Sequence, residues 1–329
     1  MVLALRKVNA RSSVEDSEMN DPFTLFAGSG NPALAEAVAR EVGVPLGARI
    51  FERFPDGETF VRLEQPVRGY QVFIVQPTGP PVNDSLVELL EFIDACRRAA
   101  AANIVAVVPY FGYARQDKRH GHREPVTASM VAYLLEAVGT NHVVTVDLHA
   151  AQIEGFFHIP VDALTAVPAF CDVLRPILPK ELIVVSPDEG RVKMAGQYAQ
   201  RLNSTVAVLH KRRETATKTR VTHVVGDVRD KACLIIDDMI STGGTISEAI
   251  DALLGAGARP EIIVAATHGP LLEAAREKLS HESIRAIFVT DTIAPVIHDW
   301  RKLHVVTLAP LMAAAIKRIL SGESLGTLF

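Results

Sequence analysis

The chain has 329 residues, 48% of them hydrophobic, and a formal charge of −4. This length exceeds what one hydrophobic core ordinarily serves, so two domains are expected. The apolar runs fall short of the roughly 18 residues that cross a bilayer, and the slight acidity supplies no field for nucleic acid, so neither a membrane nor a nucleic-acid partner is expected.

Residues 1–20 carry Arg6, Lys7, Arg11, Glu15, Asp16 and Glu18 without an apolar signal core, and are expected to form a disordered extension. Phe23–Ala27 then reads as a strand. Asn31 caps a helix begun by Pro32, with Leu34, Ala35, Val38 and Val42 at helical spacing. A strand at Gln71–Val75 precedes a helix over about Val82–Ala101. Buried strands are predicted at Ile104–Val108, Val143–Val146, Leu182–Val185, Val206–Leu209, Leu234–Ile236, Ile262–Ala266 and Ile284–Val289. Helices are predicted over Ala128–Val138, Gly190–Leu202, Thr245–Ala256 and Leu311–Leu320. This alternation is the pattern of an α/β fold with parallel sheets flanked by helices. Ile159–Pro168, with two prolines, is the expected hinge. Cys96, Cys171 and Cys233 are widely spaced, form no metal pattern and lie in or beside apolar segments. Free buried thiols in a reducing cytosol are expected, hence a cytoplasmic location.

Several strands end in acids: Asp147, Asp188, and the pair Asp237 and Asp238. Ligands of open parallel sheets gather at such ends. After Leu234–Ile236 and the two acids come Ser241, Thr242, Gly243, Gly244 and Thr245, and then a helix. The glycines let backbone N–H groups converge, the hydroxyls add donors, and the helix start favours an anion, so a phosphate monoester fits. Two carboxylates repel phosphate but accept hydrogen bonds from a sugar diol. A capped turn explains the glycines and hydroxyls, but not adjacent acids after a buried strand. The segment therefore reads as a ribose 5-phosphate cradle, and it resembles the phosphoribosyl-pyrophosphate motif of type I phosphoribosyltransferases and ribose-phosphate pyrophosphokinases.

Other segments narrow the choice. The loop after Val108 carries Arg115, Gln116, Lys118, Arg119, His120, His122 and Arg123, a cationic set suited to a polyphosphate, although charged loops are common. Phe54, Asp56 and Glu58 surround a glycine turn, where the aromatic suits stacking on a base and the acids suit amino or hydroxyl donors. Asp147 and His149 stand two apart at a strand end, a pair able to hold Mg²⁺, and Asp188 offers a further carboxylate. Lys211 and Arg213 lead into the polar stretch Glu214–Arg220, expected to be mobile.

In this order, from about Phe23 to Phe329, these segments resemble the ribose-phosphate pyrophosphokinase family. The resemblance implies two phosphoribosyltransferase-like domains, 21–163 and 164–320, with the tail 321–329 returning to the first. It implies transfer of the diphosphoryl group of ATP to the 1-hydroxyl of ribose 5-phosphate, with Mg²⁺ as cofactor. It further implies a homo-oligomer, from dimer to hexamer, in which a neighbouring subunit completes the ATP site. Position by position, Phe54, Asp56, Glu58, Arg115 and Gln116 match ATP contacts, and His149 and Asp188 match metal residues. Asp237 matches the ribose-hydroxyl acid, Ser241–Thr245 the 5-phosphate loop, and Lys211 and Arg213 the mobile catalytic pair. This sequence departs from the pattern at Ser241, where an acid is common, at Arg191, where glycine is usual, and at His158, where an acid is frequent. The loop after Arg213 lacks the familiar proline. A non-catalytic regulatory homologue, or less readily a phosphoribosyltransferase, is the alternative reading.

Overall fold

A computed structural model describes residues 22–119, 121–213, 219–297 and 299–328, with the backbone alone at 211–213 and 219–222. The expected extension 1–20 and residues 214–218 of the polar stretch lie outside the described residues.

Strand β1 (Phe23–Ala27) leads into helix α1 (Pro32–Val42). Asn31 accepts a 3.2 Å hydrogen bond from the Leu34 amide, and Gly43, at φ +94°, closes the helix in the left-handed conformation that suits a residue without Cβ. Strands β2 (Arg49–Arg53) and β3 (Thr59–Leu63) form a separate antiparallel hairpin, which periodicity did not predict. Then follow β4 (Gln71–Val75), α2 (Val82–Arg98), β5 (Asn103–Val108), α3 (Thr127–Val138), β6 (His142–Val146) and β7 (Val161–Leu164). These build a parallel sheet of order β1-β4-β5-β6-β7. Part of the stretch expected to be a hinge is therefore an edge strand: Val161–Leu164 pairs in register with Val143–Val146.

Helix α4 (Val167–Leu174) connects to β8 (Leu182–Ser186), α5 (Val192–Leu202), β9 (Thr205–Arg213) and β10 (Thr219–Val225). Thr219 and Arg220 pair with Arg213 and Arg212, so the end of the predicted mobile stretch is strand. Next come β11 (Ala232–Met239), α6 (Gly244–Gly255), β12 (Ile262–His268), α7 (Glu273–Lys278), β13 (Ile284–Thr290), β14 (Leu303–Val306) and α8 (Ala309–Ser321). The second sheet has the order β10-β9-β8-β11-β12-β13-β14, parallel except for β10 against β9.

Alternation along the strands distributes the core. In β11, Leu234 and Ile236 face a cluster that also holds Leu25 and Phe73 of the first sheet, Phe170, Tyr198 and Met312. Cys233 and Ile235 face the opposite cluster, with Ile250 and Leu253 of α6. A third cluster packs Leu89, Phe92, Val131 and Leu135 on the far face of the first sheet. The three cysteines are free and buried, as expected, and burial pushes the Cys96 and Cys233 thiols up to about 12. Among the described residues, no helix is long and apolar enough to cross a membrane.

Candidate active site

The carboxyl ends of the two sheets meet. Asp147, just past β6 and at φ +37°, accepts hydrogen bonds at Oδ2 from the Ala166 amide (3.0 Å) and from Thr267 Oγ1 (2.6 Å) of β12. Its carbonyl lies 3.2 Å from Nε2 of buried His268, whose Nδ1 is 2.9 Å from Thr292 Oγ1. A carbonyl only accepts, so His268 donates through Nε2, and Nδ1 accepts from Thr292. Burial holds His268 below the ordinary histidine range. Asp147 thus faces inward. Through Oδ2 the carboxylate ties the two halves of the chain together, and the pairing of Asp147 with His149 around a metal, which their spacing suggested, stays a proposal.

Strand β11 runs to Met239, so Asp237 and Asp238 lie within it rather than after it. Gly243, at φ +75°, is the N-cap of α6, and no side chain caps the helix start. The first-turn amides of α6 are therefore open to a ligand, and the first turn carries no acid to compete for them. A Cβ on Gly243 would sit 2.9 Å from the Leu279 side chain, so helix packing as well as backbone conformation requires glycine there. A cavity of about 180 Å³ opens at this helix start, lined by Ser241–Thr245, Asp237, Asp238, Asp188, Arg115 and His149.

The wall opposite the helix is ionic. His149 Nδ1 lies 2.6 Å from Asp238 Oδ2, and Arg191 Nη2 lies 3.0 Å from Asp238 Oδ1. Arg191 Nε stands 3.5 Å from Asp237 Oδ1, and Nη1 donates to the His149 carbonyl at 2.9 Å. Asp237 Oδ1 also accepts from the Asp238 amide at 2.9 Å. Burial, reinforced by the neighbouring Asp238, raises the Asp237 carboxyl well above the usual range. Burial acts on Asp238 in the same sense, but the His149 hydrogen bond and the Arg191 charge outweigh it and hold that carboxyl at about 2. The pair therefore titrates as one coupled unit, with Asp238 the stronger acid and Asp237 the weaker.

Sequence reading found every member of this wall, but set Arg191 beside Asp188 rather than between His149 and the acid pair. The residues expected to contact the nucleotide are dispersed. Arg115 lines the cavity, whereas Gln116 Oε1 accepts from Thr127 Oγ1 at the start of α3. Phe54, Asp56 and Glu58 form the tip of the β2–β3 hairpin, where Phe54 is half exposed against Phe60 and Glu58 donates its amide to Asp56. None of the three lines the cavity. The side chains of Lys211 and Arg213 lie outside the described residues, though their backbone ends β9. Buried Asp117, which sequence reading passed over, accepts from Gln152 and ties the Arg115 loop to the segment after His149. An acid set among the polar and cationic residues Arg115, Gln116, Lys118 and Arg119 was its only signal.

Magnesium prefers oxygen donors in an octahedron, takes imidazole only unusually, and usually keeps waters and substrate phosphates among its ligands. Among the described residues, no group of three His, Cys, Asp or Glu is assembled for a metal. Asp188 and His149 do line one cavity, with the carboxylate of Asp188 at the start of a turn. That donor set suits an ion that arrives with a nucleotide better than a permanently caged one.

An uncapped helix start and a buried acid pair line one cavity at the carboxyl ends of parallel strands, where the ligands of α/β enzymes gather. A family model described as the N-terminal domain of ribose phosphate pyrophosphokinase matches residues 23–139, and one described as the phosphoribosyl synthetase-associated domain matches 213–329. The chain is 44% identical over 315 residues to a ribose-phosphate pyrophosphokinase of Thermotoga maritima, covering 94% of this chain and 99% of that one. It is 47% identical over 310 residues to one of Rhodopirellula baltica, covering 93% and 98%. The crystal structure of a phosphoribosylpyrophosphate synthetase from Mycobacterium smegmatis matches with a TM-score of 0.85 at 41% identity, over 92% of this chain and 99% of that one. The chain belongs to the ribose-phosphate pyrophosphokinase family.

Proposed function

We propose that the protein transfers the diphosphoryl group of ATP to the 1-hydroxyl of ribose 5-phosphate, giving 5-phosphoribosyl 1-pyrophosphate and AMP. One observation carries the reading: the open N-terminus of α6 and the acid Asp237 line the same cavity. The 5-phosphate accepts from amides between Ser241 and Thr245, and the sugar hydroxyls bond to Asp237. Two anchors at opposite ends of the sugar leave its 1-hydroxyl with a defined direction of attack. Phosphoryl transfer asks the protein mainly for position and charge neutralisation. Arg115, reaching the cavity from the first sheet, supplies positive charge for the nucleotide phosphates.

Lys211 and Arg213 are proposed to stabilise charge on the transferred group and on AMP. Backbone register supports this: Ser186 pairs with Val208, so Lys211 and Asp188 both follow the same edge of paired strands. Asp188 and His149 are proposed to hold Mg²⁺, which when bound neutralises phosphate charge and polarises the phosphorus under attack. Among the described residues, no side chain is assigned the role of general base.

The exposed hairpin tip supports the proposal that Phe54, Asp56 and Glu58 complete the nucleotide site of a neighbouring copy in a homo-oligomer, in the cytoplasm. Two units, residues 21–163 and 164–320 with the tail 321–329 joining the first, are consistent with the packing of Leu325 and Leu328 on the cluster that contains α1 residues.

The test is direct. The purified chain, given ATP, Mg²⁺ and ribose 5-phosphate, is expected to form AMP and 5-phosphoribosyl 1-pyrophosphate in equal amounts. Release of ADP would overturn the reaction class. No product at all would favour the non-catalytic homologue, and pyrophosphate release from 5-phosphoribosyl 1-pyrophosphate with a nucleobase would favour a phosphoribosyltransferase.

A further inference from the structure

Arg191 ends the short 3-10 turn Glu189–Arg191 after β8, yet its guanidinium reaches back across the cavity wall to three groups on two other segments. Its side chain is only 11% exposed. Both oxygens of Asp238 are engaged, Oδ1 by Arg191 Nη2 at 3.0 Å and Oδ2 by His149 Nδ1 at 2.6 Å. Arg191 Nη2 also lies 2.8 Å from His149 Nδ1, and that nitrogen cannot both donate to the carboxylate and accept from the guanidinium. An ionised carboxylate only accepts, so the proton sits on Nδ1, and the Nη2 hydrogen goes to Asp238 Oδ1. Nη1 meanwhile holds the His149 carbonyl at 2.9 Å. Ring and main chain of His149 are thus gripped by one side chain and its carboxylate partner.

We propose that Arg191 is a positioning residue for His149: with Asp238 it fixes the ring so that Nε2 is the nitrogen presented to a divalent cation or its nucleotide. An imidazole held at one nitrogen by a carboxylate has its orientation and tautomer set for ligation through the other, and loss of such support weakens metal binding by roughly 10- to 100-fold. The identity of the ligand rests on the function proposed above, whereas the state of the ring does not. Arg191 takes the place usual for a glycine, and its cation stands against acids that would otherwise draw a metal inward.

Two measurements on the full-length protein test this. Magic-angle-spinning ¹⁵N spectra of protein labelled in histidine, with the His149 signals assigned by their loss in His149→Gln, are expected to show Nδ1 protonated and Nε2 bare without added metal. The opposite tautomer, or a doubly protonated ring, would overturn the proposal. In Arg191→Ala the Asp238 carboxylate keeps the proton on Nδ1, and the His149 signals are expected to broaden over several ring orientations, with partial sharpening in Arg191→Lys; signals unchanged from wild type in Arg191→Ala would also overturn it. If Arg191→Ala does not fold, the Lys variant is read alone, with broadened His149 signals expected and an unaltered spectrum counting against the idea. Titration calorimetry with Mn²⁺ and α,β-methylene-ATP is expected to show affinity lowered about 10- to 100-fold in Arg191→Ala, and ribose 5-phosphate affinity changed less than about threefold. Weakening confined to the sugar phosphate would mean that Arg191 binds it directly, and the positioning role would fall. A wild-type protein that binds no Mn²⁺–nucleotide would refute the functional reading, while the spectra still decide the ring.

Discussion

Thr267 Oγ1 donates to Asp147 Oδ2 at 2.6 Å, so a carboxylate at the end of a first-sheet strand is anchored to a strand of the second sheet. Asp147 sits two residues before His149 in a turn of positive φ. This bond therefore bears on both the stability of the junction and the direction of the imidazole. Thr267→Val keeps the shape and removes the donor. A hydrogen bond to a charged acceptor contributes about 1.5–3 kcal/mol, and urea unfolding is expected to show a loss of that order. A loss below about 0.5 kcal/mol would mean that the contact is incidental.

Asp237 gives a pH-dependent prediction. Its folded-state pKa is raised by burial and by Asp238, so the wild-type fold is penalised above the unfolded-state value near 4, where the unfolded chain ionises first. The penalty disappears as pH falls below that value, because the group is then protonated in both states. Asp237→Asn, which keeps an acceptor for the Asp238 amide, is expected to be more stable than wild type by about 1 kcal/mol or more at pH 7.5, and equal to it near pH 4. Ribose 5-phosphate binding is expected to weaken in the same variant. Denaturation at the two pH values and calorimetry with the sugar phosphate check both halves.

The anion site depends on Gly243. Alanine there must adopt φ +75° with its Cβ against Leu279, at a cost of about 1–3 kcal/mol in strain, which the α6 start relieves by moving. Gly243→Ala is expected to raise the KM for ribose 5-phosphate about tenfold or more and to lower the melting temperature. Steady-state kinetics with each substrate varied would show the change on the sugar phosphate first.

Lys211→Ala is expected to lower kcat by about 10²–10³ while ribose 5-phosphate affinity stays near wild type, as for removal of one electrostatic stabiliser of the transition state. Turnover within about threefold of wild type would remove Lys211 from the mechanism.

Phe54→Ala tests the hairpin tip. If the exposed ring stacks on the base from a neighbouring copy, its loss costs about 0.5–1.5 kcal/mol, read as up to about a tenfold rise in the KM for ATP. A heterocomplex of Phe54→Ala with a variant disabled at Gly243 would show whether the tip serves its own chain or its neighbour.

Local chemistry and periodicity were enough for much of this protein. Gln71–Val75 and Phe23–Ala27 are largely apolar runs, Asn31 and Pro32 are a helix start, and Gly243–Gly244 after a buried strand is another, because each signal lies within a few consecutive residues. The β2–β3 hairpin and the edge strands β7, β10 and β14 escaped, since half-exposed or edge strands carry mixed polarity and take their pairing from distant partners. The site divides the same way. Residue types at strand ends announced phosphate, sugar and acid, but only tertiary packing turned Asp147 inward to Thr267, set the hairpin tip apart from the cavity, and carried Arg191 to Asp238 and His149, 47 and 42 residues away. Which carboxylate is strong and which weak was likewise decided there, because burial, the His149 ring and a guanidinium delivered from the turn after β8 set it, and none of these is written in the order of neighbouring residues.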